Sequence, residues 1–269
     1  MDDIYYKERE ATRYDLEYRW KTDDIPFWQG LTQEYAGREG VALELACGTL
    51  RVTYPVAESG VRVHGLDHSP WMLTEAQKRL AKAPASIRER VTLHQGDMRA
   101  FDLVQQFDIV YLPFNTLLIM RTTEDQLALF DSVRRHLKPG GVFAFDLFVP
   151  DLTRIANQAR PAVWANEQDE ALSEGGVRVQ RDSLTRYDTL RQRILVKFRH
   201  REYVNGVFQH EFISDLQLTY IFPRELEHLI ARAGFEIVDY WGDYNRTDFW
   251  SMQEPWKQIL VVRPKEQLQ

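Results

Sequence analysis

The sequence predicts an α/β fold: a parallel sheet with an antiparallel β segment inserted after its fifth strand. From Val41 to Phe148, short apolar runs alternate with helical patterns, which is typical of parallel strands joined by right-handed crossovers. From about Val163 to Tyr220, the apolar period shortens to two residues, which is typical of long antiparallel strands. The α/β alternation then resumes with a helix that begins at Pro223.

Composition narrows the class of protein. The chain has 269 residues, 44% of them hydrophobic, which is enough for a globular core. Its net charge of −6 disfavours nucleic-acid binding, and its single cysteine, Cys47, excludes an intrachain disulfide. The longest apolar stretch, Phe107 to Met120, is too short and too interrupted to span a membrane. The N-terminus lacks the apolar core of a signal peptide, so we expect a cytoplasmic protein without nucleic-acid or membrane partners.

The first part of the chain is rich in aromatic side chains. Patterns compatible with helices run from Ile4 to Trp20 and from Thr22 to Gly37, and Asp23 or Asp24 is the expected cap of the second helix. Two helices packed on the sheet account for this pattern, and a lid over a small ligand is the alternative. We assign residues 1–37 to an N-terminal helical lid.

Caps and turn residues divide the core into elements. Ser69 is the predicted cap of a helix with Pro70 at its first position, and Thr123 with Gln126 predicts a capping box for a later helix. Seven apolar runs are the predicted strands: Val41–Leu45, Val61–Leu66, Val91–Asp97, Phe107–Phe114, Val142–Phe148, Phe235–Trp241 and Gln258–Pro264.

The antiparallel segment has a clear hairpin signal. Asn205 and Gly206 separate two alternating runs, and Asn-Gly favours a primed two-residue turn. We predict three or four strands here, as an inserted β ribbon of residues 161–220 within a core of residues 38–160 and 221–269. A homodimer through the edges of the ribbon and a monomer with a lid fit this pattern equally well.

Three predicted strands end in residues suited to a ligand. Gly48 follows the first strand in a tight turn, and Asp67 closes the second strand about 20 residues later, where an acidic residue binds ribose hydroxyls. Asp97 closes the third strand. A plain turn or an ordinary acid at a strand end would explain each residue singly. Together they converge on one crevice at the carboxyl edge of an open sheet.

Five motifs in order resemble those of class I S-adenosylmethionine-dependent methyltransferases: ELACGT at 44–49, GLDHSPWML at 65–73, QGDMRAFD at 95–102, FDIVYLPFNTLL at 107–118 and LKPGG at 137–141. The closing helix and strand, ARAGFEIVDYWGDY at 231–244, are also similar. The resemblance implies a Rossmann-like, seven-stranded methyltransferase sheet and an activity of class EC 2.1.1. The β segment and RYDLEYRW near the start are similar to small-molecule N-methyltransferases, such as amino-sugar N,N-dimethyltransferases and relatives of glycine methyltransferase.

The resemblance implies that S-adenosylmethionine is the cofactor and S-adenosylhomocysteine its product. The methionine part would lie against the backbone of Ala46 and Gly48, with Glu44 supporting its amino group and Tyr14 closing over its carboxylate. The family often has glycine at the positions of 46, 48 and 50, so Leu50 is a departure that puts the strength or position of cofactor binding in doubt.

The remaining roles follow from the same resemblance. Asp67 would bind the ribose hydroxyls and His68 and Met72 would flank the adenine, while Asp97 would accept a hydrogen bond from its amine and Met98 would offer a backbone amide.

The acceptor side is the least specific part of the resemblance. Leu112, Pro113 and Phe114 would line the sulfonium, and Asn115 would face the substrate. We name Asn115, Tyr14 and His200 as candidate catalytic residues. His200 lies in the β segment, where a solvated strand residue is the alternative. The spacing of the histidines indicates no metal site. His136 lies within a predicted helix and is expected at the surface.

The chemistry leaves the acceptor open. An amine needs little help from a base, whereas a hydroxyl acceptor needs a histidine or carboxylate at hydrogen-bonding distance. We expect a small-molecule acceptor that is methylated at nitrogen, with an O-methyltransferase as the alternative. A nicotinamide-dependent dehydrogenase would need the Gly-x-Gly-x-x-Gly pattern that the turn lacks, and a non-catalytic cofactor-binding protein is the remaining alternative.

Overall fold

The computed structural model describes residues 7–157, 163–171 and 176–266, which fall into two compact units. The larger unit comprises residues 7–149 and 221–266, and the smaller unit lies within residues 150–220. The start of the first predicted helix, at Ile4, lies outside the described residues.

Seven strands form the sheet of the larger unit: β1 Val41–Leu45, β2 Arg62–Asp67, β3 Val91–Gln95, β4 Phe107–Leu112, β5 Leu137–Phe148, β10 Phe235–Trp241 and β11 Lys257–Pro264. They pair in the order β10-β11-β5-β4-β1-β2-β3. The strands from β1 to β5 pair in parallel, whereas β11 runs antiparallel to both of its neighbours, β5 and β10. This mostly parallel, seven-stranded sheet confirms the predicted fold class.

The larger unit contains these α-helices: α1 Glu8–Glu17, α2 Ile25–Tyr35, α3 Thr53–Glu58, α4 Pro70–Ala81, α5 Ala85–Arg88, α6 Thr123–His136 and α8 Pro223–Arg232. The apolar side chains of α2 and α3 join the buried core beneath β1 and β4. Trp28 of α2 stacks on Tyr111 of β4, with the ring centroids 5.7 Å apart. The second N-terminal helix therefore packs on the sheet.

Helix caps agree with the sequence at one end and differ at two others. Ser69 caps α4 as predicted, because its side chain accepts a hydrogen bond from the Met72 amide. The cap of α6 is Thr122, one residue earlier than predicted, since its extended backbone lets its hydroxyl reach the Asp125 amide at 3.1 Å. Asp24 precedes α2 without capping it, because Arg51 takes both of its carboxylate oxygens.

The smaller unit contains an antiparallel sheet in the order β6-β7-β8-β9, with β6 Ala165–Ala171, β7 Val177–Asp188, β8 Arg193–Val204 and β9 Val207–Thr219. A short helix, α7 Leu152–Ala156, precedes it. Asn205 and Gly206 join β8 to β9 with φ of +50° and +79°, and positive φ at both residues is what a type I′ turn requires. The inserted antiparallel segment is thus confirmed, with four strands among the described residues.

His136 corrects an expectation. Its place near the end of α6 suggested a surface residue, but the side chain is buried. Nε2 accepts a hydrogen bond from the Leu103 amide at 2.8 Å, and Nδ1 donates to the Ser132 carbonyl at 2.7 Å. The ring thereby joins the loop before β4 to α6, a long-range role that helical periodicity does not reveal.

Candidate active site

The turn after β1 contains three alternate residues with left-handed backbone. Ala46 and Gly48 both have φ of +54°, and Leu50 has φ of +71°. This conformation costs a residue with a side chain about 1–2 kcal/mol, and glycine almost nothing. The left-handed backbone therefore explains why glycine is common at these three positions of the methyltransferase pattern. This chain has another residue at two of them, Ala46 and Leu50.

Gly48 leaves open space over its backbone. Among the described residues, its two chain neighbours aside, a Cβ built on Gly48 would meet only the Met72 sulfur within 4 Å, at 4.0 Å. The Gly48 amide donates to Asp67 Oδ2 at 2.8 Å, which holds the turn against the end of β2. A ligand can therefore approach the backbone closely at the carboxyl edge of the sheet, where open α/β sheets bind their ligands.

Asp67 connects two parts of this edge. Besides Gly48, it accepts a hydrogen bond from the Ser69 amide at 2.8 Å, so the start of α4 is fixed to the turn after β1. A carboxylate oxygen accepts more than one hydrogen bond, which leaves capacity for ribose hydroxyls. Of the two residues predicted to flank adenine, Met72 is buried close to this turn and His68 is exposed.

Burial of the Leu50 side chain offsets the cost of its left-handed backbone. Its side chain is fully buried and joins an apolar cluster with Cys47, Leu73 and Ala76. Its amide donates to the Cys47 carbonyl at 2.9 Å, and α3 begins only at Thr53. The side chain that replaces the usual glycine thus packs in the core beside α4.

Glu44 lies buried in β1, directly before the turn. Burial raises the pKa of its carboxyl group to about 8, although hydrogen bonds from Thr53 and Tyr111 oppose this shift. Those bonds reach Oε2, at 2.6 Å from Thr53 Oγ1 and 3.0 Å from Tyr111 OH. A buried carboxyl group of this kind gains from a neighbouring cationic amino group, because the positive charge stabilises its ionised form.

Basic residues that the sequence analysis missed line a cavity beside α1. The cavity has a volume of about 300 Å³, and Tyr14 and Arg51 are both in its wall. Its other basic residues are Arg19, Lys21 and Arg79. Burial raises the pKa of the Tyr14 hydroxyl above its ordinary value, against the opposing charge of Arg51. The positive charge of this wall suits a carboxylate ligand. In the sequence, Arg51 directly after the turn was the one signal that could have indicated this basic cavity.

Asp97 has a strong protein partner. Arg99 contacts both of its carboxylate oxygens, with Nε–Oδ1 and Nη2–Oδ2 distances of 3.0 and 2.5 Å, and also reaches Asp125 at 2.6 Å. The Arg99 side chain accordingly lowers the pKa of Asp97. The predicted adenine contact would have to share the carboxylate with Arg99. Met98, between them in sequence, is half-buried.

The end of β4 is the second strained turn of this edge. Leu112 and Pro113 are buried, and the next residues, Phe114 and Asn115, have left-handed φ of +64° and +60°. The Phe114 amide donates to Asp146 Oδ1 at 2.6 Å, and the Asn115 amide donates to the Asp146 carbonyl at 3.1 Å. Strained residues of this kind persist only where their surroundings hold them, and they cluster at functional sites.

Asp146 and Lys257 form a buried ion pair under this turn. Lys257 Nζ lies 2.5 Å from Asp146 Oδ2 and 3.1 Å from Asn115 Oδ1, and the Tyr244 hydroxyl donates to Asp146 Oδ2 at 3.0 Å. Asp146 is fully buried, and burial alone would raise its pKa. The charge of Lys257 and the donated hydrogen bonds outweigh burial and hold the pKa of Asp146 below its ordinary value. No local pattern in the sequence indicates this pair.

His200 is not the solvated strand residue that was the alternative to a catalytic role. It lies in β8 with its side chain buried, its ring stacked on Phe212 and its Nε2 2.9 Å from Ser214 Oγ. Because His200 belongs to the smaller unit, its catalytic role stays a prediction. Among the described residues, no group of three or more His, Cys, Asp or Glu side chains could hold a metal ion.

Comparison with known proteins agrees with this geometry. Residues 42–141, from β1 to the start of β5, match the family described as "Methyltransferase domain". Over this range the chain resembles a methyltransferase domain. The matched range contains the turn after β1, Asp67, Asp97 and the end of β4.

The similar proteins include enzymes that are named as methyltransferases of amino sugars. This chain is 42% identical, over 37% of its length and 39% of the relative, to the dTDP-3-amino-3,4,6-trideoxy-alpha-D-glucopyranose N,N-dimethyltransferase of Streptomyces venezuelae. The structure of the CcbJ methyltransferase from Streptomyces caelestis matches 97% of this chain and 99% of its own, with 26% identity and a TM-score of 0.74. The structure of Streptomyces venezuelae DesVI matches 95% of this chain and 98% of its own, with 25% identity and a TM-score of 0.71.

The curated relatives match only in part. The chain spans 39% of the dimethyltransferase and 56% and 51% of two other curated methyltransferases. In the described part of the chain, no helix combines the length and apolar character needed to cross a bilayer.

Proposed function

We propose that this protein transfers a methyl group from S-adenosylmethionine to an amine of a small molecule. The observation that carries the proposal is the carboxyl edge of the sheet, where Gly48 exposes open backbone between Glu44 and Asp67. The similar proteins support an amine acceptor, because they include sugar N,N-dimethyltransferases.

The residues of this edge fit the cofactor. The backbone of Ala46 and Gly48 would hold its methionine part, Glu44 its amino group and Asp67 its ribose. Tyr14, in the wall of the basic cavity, would close over its carboxylate. When bound, S-adenosylmethionine supplies a methyl group on a positively charged sulfur, so the chain contributes mainly positioning and the exclusion of water.

The adenine end of the site would use four further residues. Asp97 and Met98 would contact the edge of the base, and His68 and Met72 its faces. The hydrogen bonds from Arg99 orient the Asp97 carboxylate and leave it ionised at neutral pH. An ionised carboxylate accepts from an exocyclic amine, which is the role the proposal needs.

An amine acceptor suits the end of β4 better than a hydroxyl. Leu112, Pro113 and Phe114 would line the transferred methyl group, and Lys257 Nζ connects Asn115 Oδ1 to the carboxylate of Asp146. Its lowered pKa and its pairing with Lys257 make Asp146 a poor base for a hydroxyl. A neutral amine already carries the lone pair that attacks, so it needs no such base.

Four further proposals concern the rest of the chain. Of the predicted lid of residues 1–37, helix α1, which contains Tyr14, would act as the lid over the cofactor, whereas α2 packs on the sheet. A catalytic role for His200 is kept as a proposal. We also propose a cytoplasmic protein that is free of nucleic acid and membrane, and a homodimer through the antiparallel sheet, which light scattering tests.

A turnover assay tests the proposed function. Purified protein is incubated with labelled S-adenosylmethionine and separate panels of amines, amino sugars and hydroxylated compounds, and products are identified by mass spectrometry. We expect S-adenosylhomocysteine and an N-methylated product. Products from hydroxylated compounds alone would favour an O-methyltransferase. Cofactor binding with no product from any panel would favour a non-catalytic role.

A further inference from the structure

The amide of Asn115 has a fixed orientation. Lys257 Nζ lies 3.1 Å from Asn115 Oδ1, and a protonated lysine can only donate hydrogen bonds. The atom that faces Lys257 must therefore be the amide oxygen, and the NH₂ group of Asn115 must point away from Lys257. The positive charge of Lys257 thus decides between the two possible orientations of the amide.

The ion pair prevents the amide from turning over. Lys257 is held at 2.5 Å from Asp146 Oδ2, and both side chains are almost fully buried. Asp146 also fixes the backbone at Phe114 and Asn115, through its carboxylate and its carbonyl respectively. A turned amide would place NH₂ hydrogens against the ammonium group, which is repulsive. The backbone and the side chain of Asn115 are thus held by one network.

We propose that this network makes Asn115 a hydrogen-bond donor that selects amine acceptors carrying an oxygen a few bonds from the methylated nitrogen. The proposal rests on the proposed function, in which Asn115 faces the acceptor. A hydroxyl, carbonyl or ether oxygen accepts from the NH₂ group, whereas an all-hydrocarbon amine leaves that group without a partner. An unsatisfied donor of this kind is what allows a site to reject an analogue that lacks the oxygen. Lys257 and Asp146 act as positioning residues.

Matched acceptors test the proposal. The probes are cyclohexylamine, trans-2-aminocyclohexanol and trans-3-aminocyclohexanol, each assayed for kcat/KM with saturating S-adenosylmethionine. We expect at least one aminocyclohexanol to exceed cyclohexylamine by about fivefold, the value of one hydrogen bond of average strength. Equal kcat/KM for all three amines would overturn the inference and leave the proposed function standing. No turnover of any amine, with the cofactor bound, would overturn both.

Three variants separate selection from folding. Asn115→Asp keeps an oxygen toward Lys257, tolerates the left-handed backbone and replaces the donor by a second oxygen. We expect it to abolish the preference for aminocyclohexanols. The double variant Asp146→Asn/Lys257→Met should weaken the preference, because the amide is no longer held. Tyr244→Phe removes one donor to Asp146 but keeps the Lys257–Asn115 contact, so its preference should stay at the wild-type ratio.

The ratio of kcat/KM between paired acceptors is the decisive readout. A merely structural role would lower the rates for all three amines together and leave their ratio unchanged. An unchanged ratio in Asn115→Asp would therefore contradict the assignment of Asn115 as the selecting donor. A ratio lost in Tyr244→Phe as strongly as in the double variant would contradict the role of Lys257.

Discussion

The two strained turns at the carboxyl edge of the sheet are held in different ways. The turn after β1 relies on local chemistry: a glycine, a hydrogen bond from its amide to Asp67 and the burial of Leu50. The turn after β4 relies on a buried ion pair between Asp146 and Lys257, which are 111 residues apart in sequence. The first turn exposes backbone to a ligand, and the second orients a side chain. The way each turn is supported matches the kind of contact that it offers.

The ion pair gives the largest expected effect. Lys257→Met leaves the Asp146 carboxylate buried without its cation, so we expect the free energy of unfolding to fall by about 3–5 kcal/mol. Urea denaturation measures this loss. The double variant Asp146→Asn/Lys257→Met should recover most of it, since no unpaired charge remains.

A surface ion pair provides the control for that experiment. Lys78 pairs with Glu75 at 2.8 Å, but its side chain is 61% exposed. Lys78→Met should therefore change the free energy of unfolding by less than about 1 kcal/mol. Similar losses for Lys78→Met and Lys257→Met would contradict the role given to burial.

Leu50 is expected to give the next largest effect. Leu50→Ala removes a buried side chain and keeps the left-handed strain, so it should cost about 2–5 kcal/mol. Leu50→Gly loses the same packing but relieves the strain, so it should be more stable than Leu50→Ala by about 1 kcal/mol. Thermal unfolding of both variants measures the difference.

Leu73 supplies the matched control, because it belongs to the same apolar cluster but lies within α4. In a helix, glycine is less favourable than alanine by about 1 kcal/mol. Leu73→Gly should therefore be less stable than Leu73→Ala, the opposite order to Leu50. The same order at both positions would refute the backbone explanation of Leu50.

The raised pKa of Glu44 predicts that the free energy of unfolding depends on pH. Its folded pKa of about 8 lies above the ordinary value of 4.5, so the folded state binds a proton more tightly than the unfolded state. The stability from this group is present at low pH and is lost as the pH rises from about 4.5 to about 8. Between pH 6 and 7.5, wild type should lose about 1 kcal/mol per pH unit relative to Glu44→Gln. Parallel profiles of unfolding free energy against pH would contradict this.

Ala46 should give the smallest change. Ala46→Gly relieves left-handed strain but makes the unfolded chain more flexible, so we expect a gain below about 1 kcal/mol. Ala57→Gly, in the helix α3, should instead lose about 1 kcal/mol. Thermal unfolding distinguishes the two signs, and a loss at both positions would show that the turn at Ala46 is not strained.

The sequence predicted those parts of the site whose signals are local. The turn at Gly48, the strand end at Asp67 and the cap at Ser69 were placed correctly, because such features depend on near neighbours. The cofactor roles given to Gly48 and Asp67 stay predictions. The contact between Asp146 and Lys257 was missed because only the antiparallel pairing of β5 with β11 brings them together. His136 was misplaced for the same reason, since its partner Leu103 is 33 residues away. The seven-stranded sheet itself was predictable, because strand and helix periods persist along the chain.

Titration calorimetry with S-adenosylmethionine is the most direct test of the central claim, that the turn after β1 is the cofactor site. We predict that wild type binds one molecule per chain. Gly48→Ala places a methyl group in the open space over the turn, so its affinity should fall at least about tenfold. Ala57→Gly should bind as wild type does. Equal affinity for wild type and Gly48→Ala, or no binding to wild type, would contradict the account.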